Sequence, residues 1–181
     1  MMNIFTVDVE DWHHGLFSQN FKNVNFEERL YFVYKILQLL EVTHTKATFF
    51  ILGEVAEKSP KIVRDIFKAS HEIAIHGFKH KKISEMTPLE FREDIRKALA
   101  CIKKNVPFDP MGYRAPAFSI TKDTTWAFEI LAEEGFKYDS SIFPIRNLFY
   151  GFPNAPRFPF SIKGNGWELR EFPLSTLNIW G

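Results

Sequence analysis

A chain of 181 residues, 45% hydrophobic and 25% charged, is long enough for one folded domain with a substantial core. Its formal net charge of +1, without a run of like charges, gives no electrostatic footprint for nucleic acid. A single cysteine, Cys101, excludes an intrachain disulfide, and the longest strongly apolar stretch, residues 47–52, is far too short for membrane insertion. The chain does not open on a basic segment followed by a long apolar run, so the expected location is cytoplasmic.

Short apolar runs alternate with amphipathic segments, which predicts an α/β protein built on a parallel sheet. The first strand is expected at residues 3–9 and a helix at about 26–41. Asn25 and Glu28 make a capping pair for that helix, and Leu30, Val33, Tyr34 and Leu37 share one face. Residues 46–52 read as a buried strand ended by Gly53. Ser59-Pro60 opens a second helix with Ile62, Val63, Ile66 and Phe67 inward, and residues 72–75 form a third strand. A capping box, Thr87 to Glu90 with Pro88 inside it, starts a third helix that buries Phe91, Ile95, Leu99 and Ile102. The same helix carries Cys101 as a buried structural thiol. Then come a short strand at 111–114, a helix at 121–134 closed by Gly135, and a strand at 136–138 leading into Asp139. Four prolines between 144 and 159, then Gly164 and Gly166, predict an irregular segment, with a returning strand at 167–172. No internal repeat or linker divides the chain, so residues 1–181 are read as one domain.

The polar residues capable of chemistry fall where predicted strands end. Asp8, Glu10 and Asp11 follow the first strand, His76 and His80 the third, Arg114 the next and Asp139 the one after. In parallel α/β folds that edge is where loops converge on a site. His76 and His80 are four residues apart, close enough on a helical turn or compact loop to reach one cation. Two surface histidines would give the same spacing. Three carboxylates within Asp8-Val9-Glu10-Asp11 repel one another unless a cation or an arginine lies nearby. A solvated strand end is the plainer alternative. Together the clusters favour a metal site in which one carboxylate binds the ion and another serves as base.

Four stretches in order resemble the polysaccharide deacetylases of the NodB homology domain, carbohydrate esterase family 4. They are Thr6-Val7-Asp8-Val9-Glu10-Asp11, His76-Gly77-Phe78-Lys79-His80, Gly112-Tyr113-Arg114-Ala115-Pro116 and Tyr138-Asp139-Ser140-Ser141. The first and last resemble the branch associated with exopolysaccharide and surface-glycan synthesis. The likeness spans residues 4–174, although the first motif lacks the usual adjacent pair of aspartates. It implies a distorted parallel β/α barrel that deacetylates an N-acetylated sugar. Asp8 would be the base, His76 and His80 metal ligands with Glu10 or Asp11, and Arg114 the clamp on Asp8. Asp139 would support the catalytic groups from behind, while Trp12, Pro116 and Phe118 would line the sugar site. The cofactor is expected to be a divalent metal ion, zinc first, with cobalt, nickel, manganese or iron also suited to these donors. The expected partner is a carbohydrate substrate, not nucleic acid.

One departure stands out: no histidine follows His80, whereas the family pattern includes a late histidine acting as general acid. The chain is therefore expected to lack the C-terminal part of the domain and the last strands of the barrel. Self-association or a partner would then cover the open edge. The rival readings are a metal- or glycan-binding module without turnover, and an amidase acting on a non-sugar C–N bond.

Overall fold

The computed structural model describes residues 4–10, 30–147 and 150–177. Thr48–Ile51 (β2) lies inside a sheet, and all four residues are buried, as the unbroken apolar run requires. Thr6–Val9 (β1) and Glu72–Ile75 (β3) flank it in parallel, setting Asp8 beside Phe50 and Phe50 beside Ala74. Gly112–Tyr113 (β4) and Tyr138–Asp139 (β5) extend the parallel set. Phe160–Lys163 (β6) and Glu168–Glu171 (β7) form an antiparallel pair, with β7 parallel to β5. The order β1-β2-β3-β4-β5-β7-β6 leaves the sheet open, with β1 at one edge and β6 at the other.

Alternation along the strands divides the sheet into two faces. Val9, Phe49, Ile51, Ile73, Ile75, Tyr113 and Leu169 belong to the apolar core. Their sequence neighbours Thr48, Phe50 and Glu72, with Tyr138 of β5, line a cavity of about 780 Å³ on the other face.

Five helices of the described residues complete the core: Tyr31–Val42 (α1), Gly53–Lys58 (α2), Pro60–Lys68 (α3), Pro88–Lys103 (α4) and Trp126–Glu133 (α5). None is long and apolar enough to cross a membrane. α1 buries Val33 and Leu40, with Leu30 buried just ahead of it; its expected capping pair lies outside the described residues. α3 turns Ile62, Val63 and Ile66 inward, but Phe67 stays 37% exposed, its ring 5.7 Å from that of Phe108. On α4 the capping box forms in full. Thr87 Oγ1 accepts from the Glu90 amide at 3.3 Å, and the Thr87 amide donates to Glu90 Oε2 at 2.7 Å. Thr87→Ala should lower stability by about 1 kcal/mol, read as a shifted urea midpoint. Cys101 is buried on this helix, and burial pushes its thiol pKa up.

Four expectations need correction. Gly53 does not simply end a strand; it opens α2, because its amide and that of Glu54 find the carbonyls of Gly77 and Phe78 at 2.9 and 3.0 Å. Ser59 separates α2 from α3 but makes no side-chain cap. The helix expected at 121–134 is a 3₁₀ turn, Lys122–Thr124, followed by α5, because Thr124 Oγ1 turns back to accept from the Thr121 amide. The stretch expected to be irregular carries β6, whose Phe160 and Ile162 pair opposite Glu171 and Leu169.

A Cβ on Gly53 would lie 2.5 Å from Phe78 Cδ2 and 2.7 Å from Ala98 Cα, so α2 and α4 approach through this glycine. Overpacking of that kind costs typically about 1–3 kcal/mol. Gly53→Ala should show it as a lower melting temperature, with Phe78 and the histidine loop that carries it displaced.

Candidate active site

β1 places Thr6 and Asp8 on one face, and Glu10 follows just beyond the strand with the same parity. His76 follows β3 directly, its amide bonded to the carbonyl of Ile51 at 3.0 Å. The loop from His76 to His80 is a compact left-handed bend: Gly77 has φ +78° and His80 φ +58°. A side chain at 77 would be strained by its φ and would meet Asp94 Oδ2 at 3.1 Å. Asp94 reaches up from α4 to accept the Phe78 amide at 2.8 Å. Burial raises the Asp94 pKa, opposed by that hydrogen bond. The loop is thus held by α2 through its carbonyls and by α4 through an amide.

Glu10, His76 and His80 each offer one ligand atom, and the three atoms lie within 4.8 Å of one another. Glu10 Oε2 stands 2.5 Å from Nε2 of His80 and 3.6 Å from Nε2 of His76. His76 Nδ1 lies 2.8 Å from the Arg114 carbonyl oxygen, which can only accept, so this nitrogen carries the proton. The Nε2 lone pair of His76 then points at a carboxylate oxygen. That oxygen is buried and receives no hydrogen bond of normal direction. Two acceptors facing one another are unfavourable alone and well placed around a cation. Burial pushes the Glu10 pKa up; positive charge on His76 and His80, when these rings are protonated, outweighs this and holds it well below the usual carboxylate range. One carboxylate and two imidazoles are a suitable donor set for zinc and its neighbours. The residues fit a divalent metal.

Arg114 adjoins this group from β4. Its Nη1 donates to Asp8 Oδ1 at 2.7 Å and to Thr6 Oγ1 at 3.0 Å. Nε and Nη2 donate to the carbonyl and hydroxyl oxygens of Ser140 at 3.0 and 2.9 Å, and the guanidinium lies over Phe50, 4.0 Å from the ring centroid. The side chain of Arg114 is only 7% exposed, whereas Asp8 keeps 24%. The clamp is therefore sealed in and the carboxylate remains accessible.

Asp8, Glu10, His76, His80 and Arg114 are thus gathered at one edge. Asp139 is not. It sits within β5 rather than after it, beside Tyr113 and Glu171, and alternation turns it to the helix side of the sheet. Wholly buried there, it accepts from the amide and hydroxyl of Ser141 at 2.9 and 2.7 Å. Pro116 is also buried, packed near Gly77, so it props the histidine loop and offers no surface to a substrate. Phe118 is half-buried beside the Arg114 guanidinium, in edge contact with Phe143. Asp11 and Trp12 lie outside the described residues.

Thr6, Phe50, Asp94, Ser140, Ser141 and Glu171 were not singled out from the sequence. Strand parity and register were the signal for Ser140: in Tyr138-Asp139-Ser140 the first and third residues share the face of Arg114, and the serine stands at its level. The large cavity touches the clamp through Thr6, Arg114 and Ser140 but not Glu10, His76 or His80. It belongs to the interior face of the open sheet; the chemistry gathers at its rim.

Comparison with known proteins agrees with this arrangement. The polysaccharide deacetylase family model matches residues 27–138, and a domain of unknown function (DUF3473) matches residues 140–181. A peptidoglycan deacetylase of Helicobacter pylori is 32% identical over 141 residues, covering 77% of this chain and 44% of the relative. A peptidoglycan-N-acetylglucosamine deacetylase of Bacillus cereus is 36% identical over 101 residues, covering 55% of this chain and 37% of the relative. The chain therefore spans less than half the length of these two curated relatives. A Mycobacterium smegmatis structure assigned as a polysaccharide deacetylase superposes with a TM-score of 0.74 at 26% identity, covering 95% of this chain and 58% of that one. The parallel sheet is that of this structure, here unclosed. With the family model matching residues 27–138, well over half of its length, the chain belongs to the polysaccharide deacetylase family.

Proposed function

We propose that this chain hydrolyses the N-acetyl group of a sugar in a polysaccharide or glycan precursor, with Asp8 as base and Glu10, His76 and His80 as metal ligands. The observation that carries the reading is the pairing of two carboxylates of one strand end with different partners. Asp8 faces an arginine, and Glu10 faces two imidazoles. Environments that different divide carboxylates into distinct roles.

A divalent cation, zinc first, would polarise the acetyl carbonyl and acidify water when held by Glu10, His76 and His80. Asp8, accessible and clamped, takes the proton from the attacking water. Arg114 fixes the direction of the Asp8 carboxylate through Nη1, while Thr6 and Ser140 hold the guanidinium by three further donated bonds. The proton on His76 Nδ1, held by the Arg114 carbonyl, keeps Nε2 in its ligating form. Phe118, Phe143 and Tyr150 form a row of rings beside the clamp, with Phe143 and Tyr150 stacked at 5.8 Å. Such half-buried faces suit the apolar side of a sugar ring.

A second reading is a metal- and glycan-binding module without turnover, in which the same three donors hold the ion. The decisive measurement is acetate release by the metal-loaded chain from N-acetylated oligosaccharides. Release that stops on chelation and returns with added metal supports hydrolysis. A protein that binds one metal per chain yet frees no acetate would establish the second reading.

A further inference from the structure

Behind the clamp lies a buried pair of carboxyl groups that the proposed chemistry does not use. Asp139 on β5 and Glu171 on β7 are register partners, and both are wholly buried. The oxygens of Asp139 are engaged as acceptors by the hydroxyl and amide of Ser141. Oε1 of Glu171 accepts from the Ile142 amide at 3.0 Å, whereas Oε2 is buried with no hydrogen-bond partner. Two carboxylates sealed together would leave that oxygen bare beside a second negative charge. A proton on Oε2 converts the bare acceptor into a donor toward Asp139 and removes one charge.

The pair is connected to Asp8 through residues 139–142. Ser141 Oγ donates to Asp139 and accepts from the Ala115 amide at 2.7 Å, next to Arg114. Ser140 Oγ donates to the Phe172 carbonyl at 2.7 Å and accepts from Arg114 Nη2. The Phe172 amide closes the circuit on the Asp139 carbonyl at 2.8 Å. Arg114 then carries the constraint to Asp8.

We propose that Glu171 is a positioning residue for Asp8: it holds the one proton shared with Asp139 and so fixes residues 139–142, on which Arg114 rests. The positioning half of this rests on the reading of Asp8 as base. Burial raises the pKa of both carboxyls, and the neighbouring charge of Asp139 pushes Glu171 further up. The other groups reaching the pair are the Arg114 guanidinium, which favours ionisation, and the neutral Tyr113 hydroxyl. α5, which packs on β7, turns Ala127, Phe128, Ile130 and Leu131 inward and keeps Glu129 with Trp167.

Three full-length variants test it: Glu171→Gln, Glu171→Ala and Asp139→Asn. Glutamine reproduces the neutral acid, with its carbonyl toward Ile142 and its amide donating to Asp139. Glu171→Gln should therefore keep kcat near that of the unaltered protein. Glu171→Ala should lose up to about 10²-fold in kcat with KM and metal stoichiometry unchanged, the scale of a small misplacement of a reacting group. Asp139→Asn should fall with the alanine variant, because an amide cannot accept both bonds from Ser141. Equal loss in the glutamine and alanine variants, or none in either, would overturn the positioning role.

The proton is counted separately, by urea unfolding across pH. Glu171 has a folded pKa raised above its unfolded value, so its stabilisation is complete below about pH 4.3 and is lost as pH climbs toward the folded value. Within that window the unfolding constant should rise by about tenfold per pH unit more steeply in the unaltered protein than in Glu171→Gln. Parallel slopes would show that no proton is held. If the unaltered protein frees no acetate, the function proposed above fails and takes the positioning role with it, while the slopes still decide the shared proton.

Discussion

Asp8→Asn should reduce acetate release by about 10²–10⁴-fold, the usual contribution of a positioned base. Asparagine keeps the size of the side chain and one acceptor for Arg114 Nη1, so the clamp at 2.7 Å can persist. What is lost is the capacity to take a proton. Metal stoichiometry and melting temperature should stay close to those of the unaltered protein, because Asp8 touches neither histidine in any contact described. Unchanged kcat in this variant would refute the base assignment and move attention to Glu10 or Asp11.

His76→Ala or His80→Ala should abolish stoichiometric metal binding, measured by elemental analysis after dialysis. Each removes one of three donors lying within 4.8 Å of one another. The loss at His76 should be accompanied by loosening of β4, because its ring also bonds the Arg114 carbonyl. One bound metal per chain in both variants would show the site to be elsewhere. The carboxylate ligand is settled by the same assay. Among the described residues Glu10 is the carboxylate beside both imidazoles, so Glu10→Ala is expected to lose the metal and Asp11→Ala to retain it.

The strand and helix order was legible because apolar runs with β-branched and aromatic residues bury strands, and because Thr87 and Glu90 write their own cap. Other features depended on partners distant in sequence. Gly53 opens a helix only because the histidine loop offers two carbonyls to its first amides. β6 forms in a proline-rich stretch because Glu168–Glu171 gives it a mate. The clustering of Asp8, Glu10, His76 and Arg114 could be read from their positions at strand ends. The fate of Asp139 could not be read from the motif alone. Its role turned on strand parity: one residue further into the strand, it faces the helices and leaves Ser140 to meet the arginine. Glu171 carried no local signal, since its neighbour Asp139 is more than thirty positions away.

Arg114 serves the site with two different parts of itself. Its side chain grips Asp8 while its carbonyl receives the proton of His76. The proposed base and ligand set are therefore hinged on one residue, and a shift of β4 carries both in the same direction. Their mutual spacing is buffered against breathing of the sheet even where absolute positions drift. Truncating Arg114 to alanine severs only one of these holds, because the carbonyl survives. The result should be a protein in which the proposed base has lost its aim while metal binding persists, a separation that no substitution at a histidine can achieve.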